Sequence, residues 1–208
     1  MRIIAYGCSN TYGQGLKDCW QPQQDLPGRQ PSKFSWPQQL ANMLDIEVVN
    51  YGQPGASPKW VWHKILSTNF TKGDIVCAMW PHWSRWHVFD KDIEGKRLGS
   101  WSTDKSHDLY DKSSALYYKH TMRDYDHILM WTYFCDHVYK HLKLLEIPFY
   151  QCYVCEDEDV KNIKNMVNVK FLDGVNYKPK ALDDSHPGEE AHKMYAEELY
   201  KRIKQCEL

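Results

Sequence analysis

Apolar positions along this chain follow two spacings in turn. Unbroken apolar or β-branched runs occupy Arg2 to Tyr6, Glu47 to Tyr51, Ile75 to Trp80 and Pro148 to Val154, with a weaker run at Asn168 to Leu172. Runs of this length, bounded by turn residues, predict strands buried on both faces. Between them the apolar residues recur at three- and four-residue steps. One such segment, Trp36 to Leu44, begins after Ser35 as a cap with Pro37 in its first turn, and a second runs from Lys59 to Leu66. The longest spans Ser114 to Leu145, where Trp131, Phe134, Val138, Leu142 and Leu145 form one stripe read as core. A last helix, Glu189 to Lys204, sets Ala191, Met194, Tyr195, Leu199 and Ile203 on one side. Strands alternating with helices predict an α/β fold. Its parallel sheet is covered on both faces, and its ligands bind where the strands' carboxyl ends open.

Two stretches break the alternation: Leu16 to Lys33, rich in Gln and Pro, and Trp83 to Ser113, polar and punctuated by Gly95 and Gly99. Both follow strand ends, so both are expected to overhang one edge of the sheet, and long loops in a compact domain are more often functional than accidental. No internal repeat, low-complexity tract or linker divides the 208 residues, so one domain over 1–208, with loop insertions near 16–33 and 83–113, is expected. A net charge of -1 and a pI near 6.8 supply no global pull toward nucleic acid or anionic membrane. The N-terminus enters a strand without an apolar leader, and no apolar run is long enough to span a bilayer, which points to a soluble, cytoplasmic protein. Seven scattered cysteines suit reduced thiols better than a disulfide framework.

Candidate chemistry lies at both ends of the chain. The run Ile3-Ile4-Ala5-Tyr6 stops at Gly7-Cys8-Ser9-Asn10, presenting a serine at a strand end. On a tight turn such a hydroxyl can act as a nucleophile once a base takes its proton; Ser9 serves equally as a helix cap. After the second strand comes Asn50-Tyr51-Gly52-Gln53-Pro54-Gly55-Ala56-Ser57, where glycine lets backbone approach a ligand and donate an N–H, or simply punctuates a turn. Near the C-terminus, Asp183-Asp184-Ser185-His186-Pro187-Gly188 offers a base with an acid one helical turn away. Asp183 and Asp184 both compete for His186, and Asp184 or Ser185 also suits a cap. Cys152-Tyr153-Val154-Cys155 has no second pair to complete a zinc site, and His82 and His87 with Cys77 or His63 make a similarly thin metal set. Gly13-Gln14-Gly15 looks like part of a phosphate loop but lacks the rest of either nucleotide fingerprint.

Together, Gly7-Cys8-Ser9, Asn50 to Ser57 and Asp183-Asp184-Ser185-His186-Pro187 resemble the three corresponding blocks of the SGNH/GDSL hydrolase superfamily across the whole chain. The resemblance implies a flavodoxin-like three-layer α/β/α sandwich with about five parallel strands. It implies Ser9 as nucleophile, His186 as base, Asp183 as its orienter, and the N–H groups of Ser9 and Gly55 as oxyanion donors. It implies no cofactor, and a small-molecule or carbohydrate ester as substrate. Two departures stand out. Cys8 replaces a common aspartate, and Trp80-Pro81-His82-Trp83-Ser84-Arg85-Trp86 stands where the family carries Gly-x-Asn-Asp, whose Asn is a further oxyanion donor. Loss of one such donor costs about 3–4 kcal/mol of transition-state stabilisation. By spacing, His82 occupies the Asn offset and is the expected substitute, with Ser84 or Arg85 behind it. Trp80, Trp83 and Arg85 are the expected substrate contacts, the indoles as a stacking platform shared with Trp86 and Trp101 or as packing for the loop, and Arg85 as an anion-binding guanidinium. The leading expectation is a serine esterase removing O-acyl groups. The alternative is an impaired module that binds a glycan or acyl ligand, and acyl transfer to an acceptor other than water shares the same acyl-enzyme.

Overall fold

The computed structural model describes residues 1–21, 26–89, 96–103, 105, 111–154 and 178–206. In chain order the elements are β1 (Arg2–Gly7), α1 (Ser9–Tyr12), β2 (Trp20–Gln21), β3 (Leu26–Pro27), α2 (Trp36–Leu44), β4 (Glu47–Gly52), α3 (Pro58–Leu66) and β5 (Asp74–Trp80). They continue with β6 (Trp86–Val88), β7 (Lys96–Leu98), a 3-10 turn (Ser100–Ser102), α4 (Lys112–His120), α5 (Asp124–Leu144), β8 (Phe149–Tyr153) and α6 (Glu189–Cys206). Four strands pair in parallel in the order β4-β1-β5-β8, flanked by helices, with α2 packed on α6 and α3 on α5. The architecture is the parallel α/β arrangement expected from the alternating pattern, in the flavodoxin-like form that the resemblance implies. The segment Asn168 to Leu172, expected as a fifth strand, lies outside the described residues.

The centre of the sheet is as apolar as its sequence: Ile3 to Tyr6 of β1 and Ile75 to Trp80 of β5 are all buried. Arg2 and Asp74 fasten the starts of these strands through paired bonds of 2.8 and 3.2 Å. Register then levels their ends, because Gly7 sits opposite Gly52 on one side and Met79 on the other. The chain leaves β1 for β4 and then crosses back past β1 to β5. The carboxyl end of β1 is therefore the point where the winding reverses, the place at which open α/β sheets hold ligands.

The expected single helix over Ser114–Leu145 is instead two. Thr121 ends the first, and Arg123 adopts an extended backbone (φ -132°, ψ 128°) before α5 starts with Asp124 and Asp126 in its first turn. Carboxylates there favour a new helix N-terminus over continuation through the positive end of the helix dipole. The stripe holds for Trp131, Phe134, Val138 and Leu142, all buried, but Leu145 falls past the helix end and is 47% exposed. The polar stretch after β5 contains an antiparallel hairpin, β6–β7, and the earlier one a two-residue ladder, β2–β3. No helix among the described residues is long and apolar enough to cross a membrane.

Candidate active site

Ser9 opens α1 directly after β1 and is 5% exposed. The turn is pinned from the neighbouring strand. Asn50 Nδ2 donates to the Thr11 carbonyl at 2.8 Å while its Oδ1 accepts the Gly52 N–H at 2.8 Å. Gly52 has no room for a side chain, since a Cβ there would overlap the Tyr12 backbone nitrogen. The end of β4 and the serine turn therefore meet backbone to backbone, a contact only glycine permits.

The acid and base come from the loop before α6. His186 Nδ1 lies 2.6 Å from Asp183 Oδ2, and Asp183 Oδ1 accepts the N–H groups of Ser185 and His186, each at 3.1 Å. With its proton on Nδ1 facing the carboxylate, His186 presents Nε2 as the basic nitrogen. Asp184 is turned away, at φ 53°, and its carbonyl accepts Lys180 Nζ, so Asp183 is the partner of His186. The loop is closed on itself by Ala181 N–H to His186 O at 2.9 Å and Gly188 N–H to Pro179 O at 2.7 Å. It is anchored below by His192, whose Nδ1 accepts the Trp36 N–H at 3.1 Å. Burial, with a smaller push from His186, lowers the His192 pKa to about 4 and keeps it in the neutral form that can accept.

Gly15 joins the two ends of the chain. Ser9 O accepts the N–H groups of Gly13 and Gln14, and one residue later Gly15 O accepts the Leu182 N–H at 3.0 Å. A Cβ on Gly15 would stand 2.7 Å from the Asp183 carboxyl carbon, and the residue is left-handed at φ 85°. Gly13-Gln14-Gly15, read in the sequence as a fragment of a phosphate loop, thus ends in the seat of the Asp183 carboxylate. Ser9 Oγ and His186 make no direct hydrogen bond.

The turn after β4 borders the same strand end. Gln53 N–H donates to Gly7 O at 3.0 Å, Ala56 N–H to Gln53 O at 2.9 Å, and Gly55 takes φ 75°, a type II turn with Pro54 and Gly55 at its centre. Among the described residues, neither the Ser9 nor the Gly55 N–H donates to another group. His82 follows the adjacent strand end. Its Nδ1 accepts the Ser84 N–H at 3.1 Å and lies 2.7 Å from Ser84 Oγ, which sets its ring proton on Nε2, the donor form an oxyanion contact requires.

The remaining expected residues divide. Trp80 is fully buried in β5, its indole N–H donating to Gln151 at 2.8 Å, so it is core and offers no stacking face. Trp83 and Arg85 lie half-buried on the β5 exit, with the His82 ring 4.9 Å from that of Trp83. The Trp101 side chain and Cys155 lie outside the described residues. Cys152 is buried, accepts the Tyr195 O–H, and has its thiol pKa pushed up to about 12 by that burial. Among the described residues no group of three or more His, Cys, Asp or Glu side chains is placed to hold a metal ion. Gly15 and Asn50 fall inside motifs that the sequence offers, but their structural roles, seating Asp183 and pinning the Ser9 turn, are not among the roles read there. The clue to the first was a glycine pair just past the serine turn, and to the second an asparagine two residues before Gly52.

Neither a family model nor a curated protein sequence matches the chain. Its shape does find relatives among solved structures. A protein assigned to the G-D-S-L family from Desulfitobacterium hafniense superposes with a TM-score of 0.52 at 12% identity, covering 96% of this chain and 98% of that one. The chain shares the fold of these proteins. A carbohydrate esterase, whose active site is described as having divergent catalytic and non-catalytic binding functions, gives 0.60 at 12% identity over 98% of this chain and 64% of that one. An acetyl xylan esterase, Est2A, from the rumen bacterium Butyrivibrio proteoclasticus gives 0.56 at 12% identity over 98% and 63%. The chain thus spans just under two thirds of the length of each of these two esterases.

Proposed function

We propose that the chain is a divergent SGNH/GDSL-type serine hydrolase that removes O-acyl groups, with Ser9 as nucleophile, His186 as general base and Asp183 as its orienter. The observation that carries this reading is the 2.6 Å Asp183–His186 pair, seated against Gly15 on the loop that continues from the Ser9 turn. Ser9 Oγ attacks the ester carbonyl carbon as its proton passes to His186 Nε2. The charge that develops on the carbonyl oxygen meets the N–H groups of Ser9 and Gly55 and the Nε2–H of His82. His186 then protonates the departing alkoxide, leaving an acyl group on Ser9; water deprotonated by the same base attacks the acyl carbon, and the proton returns to Ser9 Oγ as the acid leaves. A carbohydrate ester is the favoured substrate class. In support of it, two of the solved structures of similar shape are described as a carbohydrate esterase and an acetyl xylan esterase, and the half-buried Trp83 and Arg85 follow His82 at the β5 exit.

The test is reaction of purified protein with a fluorophosphonate probe and with p-nitrophenyl acetate. Labelling located to Ser9, and turnover lost in Ser9→Ala and His186→Ala, is the expected result; a wild-type protein as inert as Ser9→Ala rejects the reading. A second reading, a glycan- or acyl-binding module, is favoured by the absence of an Asn from the β5 exit. It predicts saturable binding that survives Ser9→Ala and fails in Trp83→Ala.

A further inference from the structure

We propose that Arg97 is a positioning residue for the oxyanion donor at Gly55, a role that rests on the hydrolase reading and adds to it. The N–H of Gly55 belongs to the same rigid peptide plane as the carbonyl of Pro54, and in a trans peptide the two point in opposite directions. Arg97 Nη1 donates to that carbonyl at 2.5 Å, holding the plane from its far side. The brace matters because Gly55 tolerates both signs of φ. Rotation of the central peptide converts a type II turn into type I, reversing the carbonyl and with it the N–H, and glycine at this position resists neither state. A cation bonded to the carbonyl selects one of them.

The hairpin that supplies Arg97 is itself fixed to this turn. His87, directly opposite Arg97 in the β6–β7 ladder, is fully buried with its Nδ1 2.8 Å from Ser57 Oγ, and its carbonyl accepts Lys59 Nζ at 3.2 Å. Ser57 caps α3 at the far end of the same turn by accepting the Trp60 N–H. Three polar contacts from one hairpin thus bracket residues 54–59. The hairpin lies in the stretch after β5 that lacks the family's Asn, so the insertion stabilises a remaining donor where a further one is missing.

Arg97→Gln tests this against p-nitrophenyl acetate and the fluorophosphonate probe. The expected result is a kcat lower by about tenfold, as for one misaligned transition-state contact. KM should stay within twofold, phosphonylation of Ser9 should slow in parallel, and melting should be unchanged. Arg97→Lys, which keeps a cationic donor, should recover most of the rate, and the Gly55 amide proton resonance should move in Arg97→Gln and largely return in Arg97→Lys. Wild-type kcat in Arg97→Gln overturns the proposal, as does a raised KM at unchanged kcat, which would assign Arg97 to substrate binding. A wild-type protein as inert as Ser9→Ala removes the hydrolase reading and this role with it. Activity that depends on Ser9 but not on Arg97 removes this role alone.

Discussion

Replacing Gly15 by alanine should separate the catalytic geometry from the fold. The new Cβ would lie 2.7 Å from Asp183 Cγ and Oδ1 and 2.8 Å from Oδ2, whereas ordinary contact begins at 3.4 Å. The carboxylate must therefore retreat by about 0.7 Å, enough to take the 2.6 Å bond to His186 beyond the range of a strong charge-assisted hydrogen bond. Such a bond is worth about 1.5–3 kcal/mol, so kcat should fall by about 10- to 150-fold. Independently, alanine at φ 85° costs about 1–2 kcal/mol of stability, a fall of roughly 2–8 °C in melting temperature for a chain of this size. Gly13→Ala is the matched control. It shares the left-handed backbone, at φ 83°, but its Cβ would meet Ser32, Ser35 and Leu16 rather than Asp183. Steady-state hydrolysis of p-nitrophenyl acetate, with thermal melting in parallel, should show both variants destabilised and only Gly15→Ala short of kcat after correction for folded protein. Equal kcat in the two variants would refute the seating of Asp183 by Gly15.

Asp183→Asn should lower kcat by up to about four orders of magnitude, as loss of the orienting carboxylate does in Ser-His-Asp enzymes, while Asp184→Asn should stay within about threefold of wild type. The same ester assay decides it, and equal losses would contradict the pairing seen here. Stability should fall on mild acidification. His87 is held down to a pKa of about 3 by burial, then by Arg97 and Lys59, and His192 to about 4 by burial, then by His186, against 6.5 for an unperturbed imidazole. Both are neutral in the fold, so below pH 6.5 the unfolded chain takes up protons first. The stability they contribute above that pH is lost progressively toward pH 3. Between pH 7.5 and 5 the loss is about 2 kcal/mol each, roughly 4 kcal/mol together. Urea midpoints across that range measure it, His87→Asn should halve the slope, and a flat profile would contradict buried neutral imidazoles.

The strand and helix pattern was legible because burial on both faces leaves unbroken apolar runs, and burial of one helix face leaves three- and four-residue steps. Ile3 to Tyr6 and Ile75 to Trp80 could hardly lie anywhere but mid-sheet, and their order in the chain made a parallel arrangement the natural outcome. The candidate chemistry was legible for a different reason: Asp183 and His186 lie three residues apart, so their pairing needs only a local turn. Where the outcome depended on contacts distant in the chain, sequence was mute or misleading. Trp80 reads as a platform beside other indoles, yet its position in a buried central strand makes it core. The helix over Ser114–Leu145 reads as continuous, since its break turns on the backbone of Arg123. Most telling is Gly15, which reads as a fragment of a phosphate loop until the chain folds and Asp183, 168 residues later, settles where a side chain would have been. The sequence alone determined most of the elements and an acid within a turn of His186, because those follow from periodicity and short spacing. Only the tertiary structure decided that Asp183 rather than Asp184 is the partner and that Gly15 seats it, because steric room at a site belongs to neighbours far away in the chain.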